Sequence, residues 1–227
     1  MRWGGCMTWV FGISALLIAA GLWYSRPHVY RYQITVEVDT PSGVRTGSAV
    51  REIRWNRMPA LTPESHSINV KQNGDAVAVD LPTGKTLFML VGDAQDTILG
   101  GFFAIVDGKG AMGALLKEAD RTREAYTFPP REVLRRYILA YPRFVTFNDP
   151  SDPLSVIEVD PADPATTLGP GYVIRKVTIQ MTDKPVSSGI RKRLPWLSAY
   201  PEPSLNPRHD PNDWSLPATL THGDFVR

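Results

Sequence analysis

Residues 3–25 contain no charged side chain, and within them residues 10–22 read VFGISALLIAAGL. A helix advances ~1.5 Å per residue, so this run is long enough to cross the ~30 Å hydrocarbon core of a bilayer. Trp9 lies near one end and Trp23 and Tyr24 at the other, where amphipathic rings favour the headgroup region. The run predicts a transmembrane signal-anchor over residues 1–26, with Trp9, Val10, Leu16, Leu17, Ile18, Leu22, Trp23 and Tyr24 as its membrane-anchor residues. A cleaved secretory signal is the competing reading. Cleavage requires small residues just before the cut, and the bulky Leu22, Trp23 and Tyr24 follow Ala19-Ala20-Gly21, so retention is favoured. Cys6 precedes the apolar run, whereas a lipid-modified cysteine follows one, and it is read as a passive apolar residue.

Arg2 flanks one side of the run, and Arg26, His28 and Arg31 the other, which leaves the positive-inside rule near a tie. An anchor with almost nothing before it leaves its short tail in the cytoplasm and exports the chain on its C-terminal side. The expected location is the inner membrane, single-pass, with the soluble body in the periplasm. A cytoplasmic body is the alternative.

The rest of the chain has room for one domain with a core and extensions. With 43% hydrophobic and 10% aromatic residues it is not disordered throughout, although 20 prolines predict Pro-rich segments. A net charge of +2 argues against a dedicated nucleic-acid binder, and one cysteine excludes a disulfide framework and any multi-cysteine metal site.

Period-two alternation over 30–39 predicts a half-buried strand, and the turn residues 40–43 pass it into a second extended run over 44–55. Arg45, Arg51 and Arg54 make that hairpin's polar face basic. Asn73-Gly74 predicts the turn of a second hairpin, between 67–71 and 76–81, and a further strand covers 86–91. The short apolar run 98–106 reads as a strand with a bulge or close backbone approach at Gly100-Gly101. Helical spacing appears over 111–126 and, after Pro129-Pro130, over 131–141. Strands are expected at 144–147, 155–159 and 172–182, with a one-turn helix near 162–168. Five prolines beyond residue 198 predict an extended tail. The fold class is α+β: an N-terminal transmembrane helix at 1–26, a β-rich soluble domain with a helical insert at 27–197, and a Pro-rich extended tail at 198–227.

No motif assembles a catalytic set. Gly84-Lys85-Thr86 ends like a phosphate-binding loop, but Val79 stands where that loop needs its first glycine, and a hairpin turn is the better reading. Gly108, Gly110 and Gly113 match a dinucleotide-loop pattern without the alternating strand–helix units it requires, so neither nucleotide nor other cofactor is expected. Asp149, Asp152, Asp160 and Asp163 place hard-cation oxygens on two turns and are the candidate metal residues, set against ordinary Asp-Pro turn chemistry. The four histidines are too dispersed for a metal-ligand spacing. Arg191, Lys192 and Arg193 beside Trp196 are the candidate partner-binding residues, set against a solvated basic turn with the Trp in the core.

The stretches YQITVEVDTPSGVRTGSAV (32–50) and GIRKRLPWL (189–197) resemble segments of small membrane-anchored proteobacterial proteins of unknown function. The resemblance implies a bacterial envelope setting and carries no site residues. The expected function is thus a binding or structural role in the envelope, with the bilayer as partner through the N-terminal helix and an envelope protein as a further partner class. The alternative is an envelope hydrolase or metal-dependent enzyme using the Asp-rich loops.

Overall fold

The computed structural model describes residues 26–57, 68–106, 112–198, 204–206, 208, 210 and 212–227. All of the expected anchor but Arg26, including its eight named residues, lies outside these. Among the described residues no helix is long and apolar enough to cross a membrane.

The fold is mixed α+β, with two antiparallel sheets. The first has the order β3-β2-β1-β9-β6, from β1 (His28–Thr40), β2 (Gly43–Arg57), β3 (Ile68–Gly74), β6 (Ala125–Thr127) and β9 (Val173–Met181). The second has the order β4-β5-β7-β8, from β4 (Val77–Asp80), β5 (Thr86–Met89), β7 (Phe144–Phe147) and β8 (Val156–Val159). Seven helices accompany them among the described residues: α1 (Ala94–Gly101), α2 (Phe103–Val106), α3 (Met112–Thr122), α4 (Arg131–Arg136), α5 (Ala165–Leu168), α6 (Ile190–Arg193) and α7 (Leu216–Thr219).

The chain divides into two compact units, one of residues 1–29 and 53–71, the other of 30–52 and 72–227. In the first, the His28 ring stacks on Trp55 at 4.6 Å. The second holds both sheets' central strands, the aromatic core and the concave surfaces.

The alternation of β1 is realised in full, with Tyr32, Ile34, Val36 and Val38 all at 0% exposure. These residues face their β9 partners in the register Tyr32↔Met181, Ile34↔Ile179 and Val36↔Val177. A register shift between Glu37 and Val38 flips the phase of β9, which is why its sequence alternation is imperfect.

Four expectations are corrected. Asn73-Gly74 does not turn a hairpin, because β3 and β4 belong to different sheets. Gly74 sits at φ +134°, and the chain uses that freedom to leave one sheet for the other. The run over 98–106 is helical. Asp93 stands in extended geometry and its carboxylate accepts the amides of Gln95 (2.7 Å) and Asp96 (3.3 Å), a side-chain cap that starts α1 ahead of the apolar residues. The close approach at Gly101 is real: a Cβ there would stand 2.7 Å from the Ile179 side chain, so α1 lies directly on β9.

The two long helices are both shorter than their spacing suggests. Residues 125–127 leave the helical path to pair with β9, and α4 stops at Arg136. Finally, the Pro-rich tail is not merely extended. Leu205, Leu220 and Phe225 are buried in the cluster that also contains Phe88, Phe147, Leu194 and Trp196. Pro217 falls in the first turn of α7, where a missing N–H costs nothing.

Among the described glycines the closest approach is between β2 and β4, where a Cβ on Gly47 would meet the Ala78 carbonyl oxygen at 2.1 Å. Backbone cannot step aside as a side-chain tip can. Gly47→Ala is expected to cost about 3 kcal/mol, read as a lowered urea midpoint of the full chain in mild detergent. A loss below about 0.5 kcal/mol would mean that the two strands separate freely.

Candidate functional site

A concavity of about 620 Å³ opens between α4, residues 139–144, the end of β8 and α5. Pro130 precedes α4 and fixes its entry, and the spacing of Arg131 and Arg135 at i, i+4 sets both on the cleft side. Arg143 reaches in from the position just before β7. Arg131 pairs with Asp160 at 3.6 Å and Arg143 with Glu158 at 3.2 Å, while Arg135 has no partner among the described residues. Leu139, Tyr141 and Phe144 supply apolar wall. Burial, and then the nearby Glu132, push the Tyr141 hydroxyl above the ordinary tyrosine value, so it remains a neutral hydrogen-bonding group.

The lining balances three arginines against the carboxylates of Glu158, Asp160 and Asp163, and Arg135, unpaired among the described residues, is the group left to hold an anion. Arginine's planar fork suits carboxylate and phosphate oxygens, and both ion pairs lining the cleft are half-exposed and exchangeable. Among the described residues that line the cleft there is no histidine. His28 belongs to the other unit, His66 and His209 lie outside the described residues, and His222 is held through its ring nitrogen by the Leu197 carbonyl.

A second, smaller pocket of about 240 Å³ lies where the two stretches 32–50 and 189–197 meet. Ser48 and Ala49 face Gly189 and Ile190 across it. Asp75, only 4% exposed, forms its inner wall and accepts the Ile190 amide at 2.9 Å. Behind it, the fully buried Arg51 donates to three carbonyl oxygens: Asp75 and Val91, each at 3.0 Å, and Leu90 at 3.2 Å. Burial pulls the guanidinium's pKa down, though arginine stays charged. Arg51 is thus not on the solvated basic face that the alternation of β2 assigns to it.

Burial also raises the Asp75 carboxyl above the ordinary range, against the lowering effect of the Ile190 and Gly189 amides. The folded protein therefore holds that proton more tightly than the unfolded chain does. The resulting stability is fully present below the unfolded value of about pH 4 and is lost as pH rises through the folded one. Asp75→Asn keeps an acceptor for Ile190 without titrating. The stability difference between wild type and this variant is expected to move against the wild type as pH rises above about 4, as measured by urea unfolding across a pH series. A difference that does not change with pH would show that Asp75 titrates as in the unfolded chain.

The predicted metal residues do not converge. Asp149 and Asp152 accept backbone amides of Ser151 and Leu154 within their own turns, Asp160 pairs with Arg131, and Asp163 accepts the Thr166 hydroxyl at 2.6 Å. Among the described residues no group of three or more His, Cys, Asp or Glu side chains is placed to hold a metal ion. Of the predicted partner-binding residues, Trp196 is 7% exposed and donates to the Pro150 carbonyl at 3.0 Å, so it belongs to the core. Arg193 forks onto Asp80, with its second nitrogen at 2.9 Å, and holds that carboxyl below its usual value. Arg191 and Lys192 remain exposed.

Gly84 lies in the hairpin turn between β4 and β5, with its amide bonded to the Leu81 carbonyl. Of the second glycine motif, Gly108 and Gly110 lie outside the described residues. Sequence pattern does not reveal the arginine cleft. Its one local signal is the i, i+4 pair of α4, which looks the same as a solvated helix face.

Comparison of the chain with protein-family models, with curated proteins and with solved structures finds no match.

Proposed function

We propose that this chain is a single-pass membrane-anchored protein of the bacterial cell envelope whose α+β body serves as a binding module. The anchor rests on the uncharged run over 3–25, and the envelope setting on the resemblance carried by 32–50 and 189–197. The observation that carries the binding reading is the open cleft, with Arg131, Arg135 and Arg143 converging from separate elements on one concavity. Arg135, unpaired among the described residues while Glu158 and Asp160 engage the other two arginines, suits an anionic partner group.

Topology is the deciding measurement. Alkaline phosphatase fused after Arg227 is compared with a fluorescent protein that matures only in the cytoplasm, and the membrane fraction is extracted with alkaline carbonate. Phosphatase activity with carbonate resistance is the expected result. Fluorescence without phosphatase activity would put the body in the cytoplasm, and release by carbonate would remove the anchor.

A further inference from the structure

The C-terminus of α4 is closed by a six-residue motif. The Leu139 amide bonds back to the Leu134 carbonyl at 3.1 Å and the Ile138 amide to the Arg135 carbonyl at 3.2 Å. This pattern needs a left-handed residue between the two amides, a position that glycine usually fills. Here it is Ile138, at φ +59°. A β-branched side chain strongly resists that conformation.

The strain has no return within the described structure, because Ile138 is 94% exposed, the most exposed large apolar residue described. Arg123, the other non-glycine residue with positive φ, is different: its side chain is anchored to the Asp120 carbonyl and pairs with Asp183. Tyr137, beside Ile138, is 41% exposed and packs edge-on against Phe103 at 4.8 Å, which props up the tip.

The tip also carries two arginines that its surrounding carboxylates leave unpaired. Residues 131–143 carry four arginines (Arg131, Arg135, Arg136 and Arg143) against a single carboxylate, Glu132. Neighbouring elements add Asp160 and Glu158, already engaged by Arg131 and Arg143, and Asp96, which accepts the Ala140 amide at 3.2 Å. Asp163 is occupied by Thr166. Arg135 and Arg136 therefore have no partner among the described residues.

We infer that the tip at residues 135–138 is a contact for an anionic phospholipid surface. Ile138 and Tyr137 enter the acyl boundary, and Arg135 and Arg136 take the phosphates. Strained presentation of a large apolar side chain beside free cations suits a surface that rewards both at once. A neutral protein groove would use the apolar group alone. The inference rests on the anchored reading, under which the body is tethered beside a bilayer.

The test is hydroxyl-radical footprinting of the unmodified full chain in lipid nanodiscs, reading oxidation of the Tyr137–Ile138 peptide. Discs of phosphatidylcholine alone are compared with discs containing phosphatidylglycerol. The expected result is a several-fold lower modification in the anionic discs only, reversed by high salt and by the double variant R135E/R136E. I138G is expected to lose the protection while raising the thermal midpoint, because glycine relieves the strain. A gain in stability rules out misfolding as the cause of the lost contact.

Equal modification in both discs and in detergent would overturn the inference while co-elution with the disc leaves the anchor standing. Equal protection in both discs would overturn it too, by showing a contact indifferent to charge. Protection in detergent that grows with protein concentration would assign the tip to a second copy of the chain. If the chain does not enter discs, the anchored reading fails; the same footprint with anionic vesicles added then decides the tip, with unchanged oxidation overturning it.

Discussion

Replacing Arg51 with methionine should cost about 4 kcal/mol of stability, more than a typical single substitution. Methionine fills most of the volume, so lost packing contributes little. The loss is of three donors: the carbonyl oxygens of Asp75, Leu90 and Val91 would be left buried and unpaired. Buried ion pairs exchanged for apolar groups often leave stability unchanged because both charges depart together. That escape is closed here, since the partners of Arg51 are backbone and cannot be removed.

Arg51→Lys should lose more than half as much, because one ammonium cannot reach three carbonyls spread across a fork. Urea unfolding of the full chain in mild detergent, monitored by tryptophan fluorescence, measures both variants. A loss below about 1 kcal/mol for the methionine variant would mean that water replaces the guanidinium, and that Arg51 is not the tie between β2 and the β3–β4 corner.

Phe225→Ala should cost about 3–5 kcal/mol. Its ring is fully buried, with Phe88, Phe147 and Trp196 at centroid distances of 6.4, 5.8 and 5.5 Å. The backbone around it is equally committed. The Phe225 carbonyl accepts the Ala76 amide at 2.8 Å and the Asp224 carbonyl accepts the Val91 amide at 2.7 Å. Gly74 and Arg227 exchange a pair of bonds at 2.7 and 3.0 Å. The segment at 224–227 therefore caps the corner that Arg51 ties from the other side. Were the tail a loose extension, the substitution would stay within about 0.5 kcal/mol, and the same denaturation curves distinguish the two cases.

Much of the fold was legible from local chemistry. The alternation of β1, the turn residues before β2, the hairpin turn at Gly84 and the buried run of β7 each arise from a few neighbouring side chains. The candidate site was much less so. Arg131 and Arg135 announce only a helix face, and the cleft exists because Arg143 and residues 158–167 arrive from elsewhere. The four aspartates illustrate the converse. Their spacing suggests a shared ligand, but each carboxylate is already taken by a backbone amide, a hydroxyl or an arginine near it.

Interactions within a few residues are written directly into the sequence: strand alternation, the turns before β2 and at Gly84, and the apolar run over 3–25 that motivates the anchor. Long-range packing settled the rest. It set whether Asn73-Gly74 closes a hairpin or changes sheets, since a positive φ serves either path. It turned Arg51 inward, because period-two patterning fixes which face a residue takes but not what covers that face. It also made Phe225 complete the core, because prolines forbid regular structure without forbidding burial. In each case the partner responsible lies far along the chain, at Leu90 and Val91 for Arg51 and at Phe88 and Phe147 for Phe225, where no local pattern reaches.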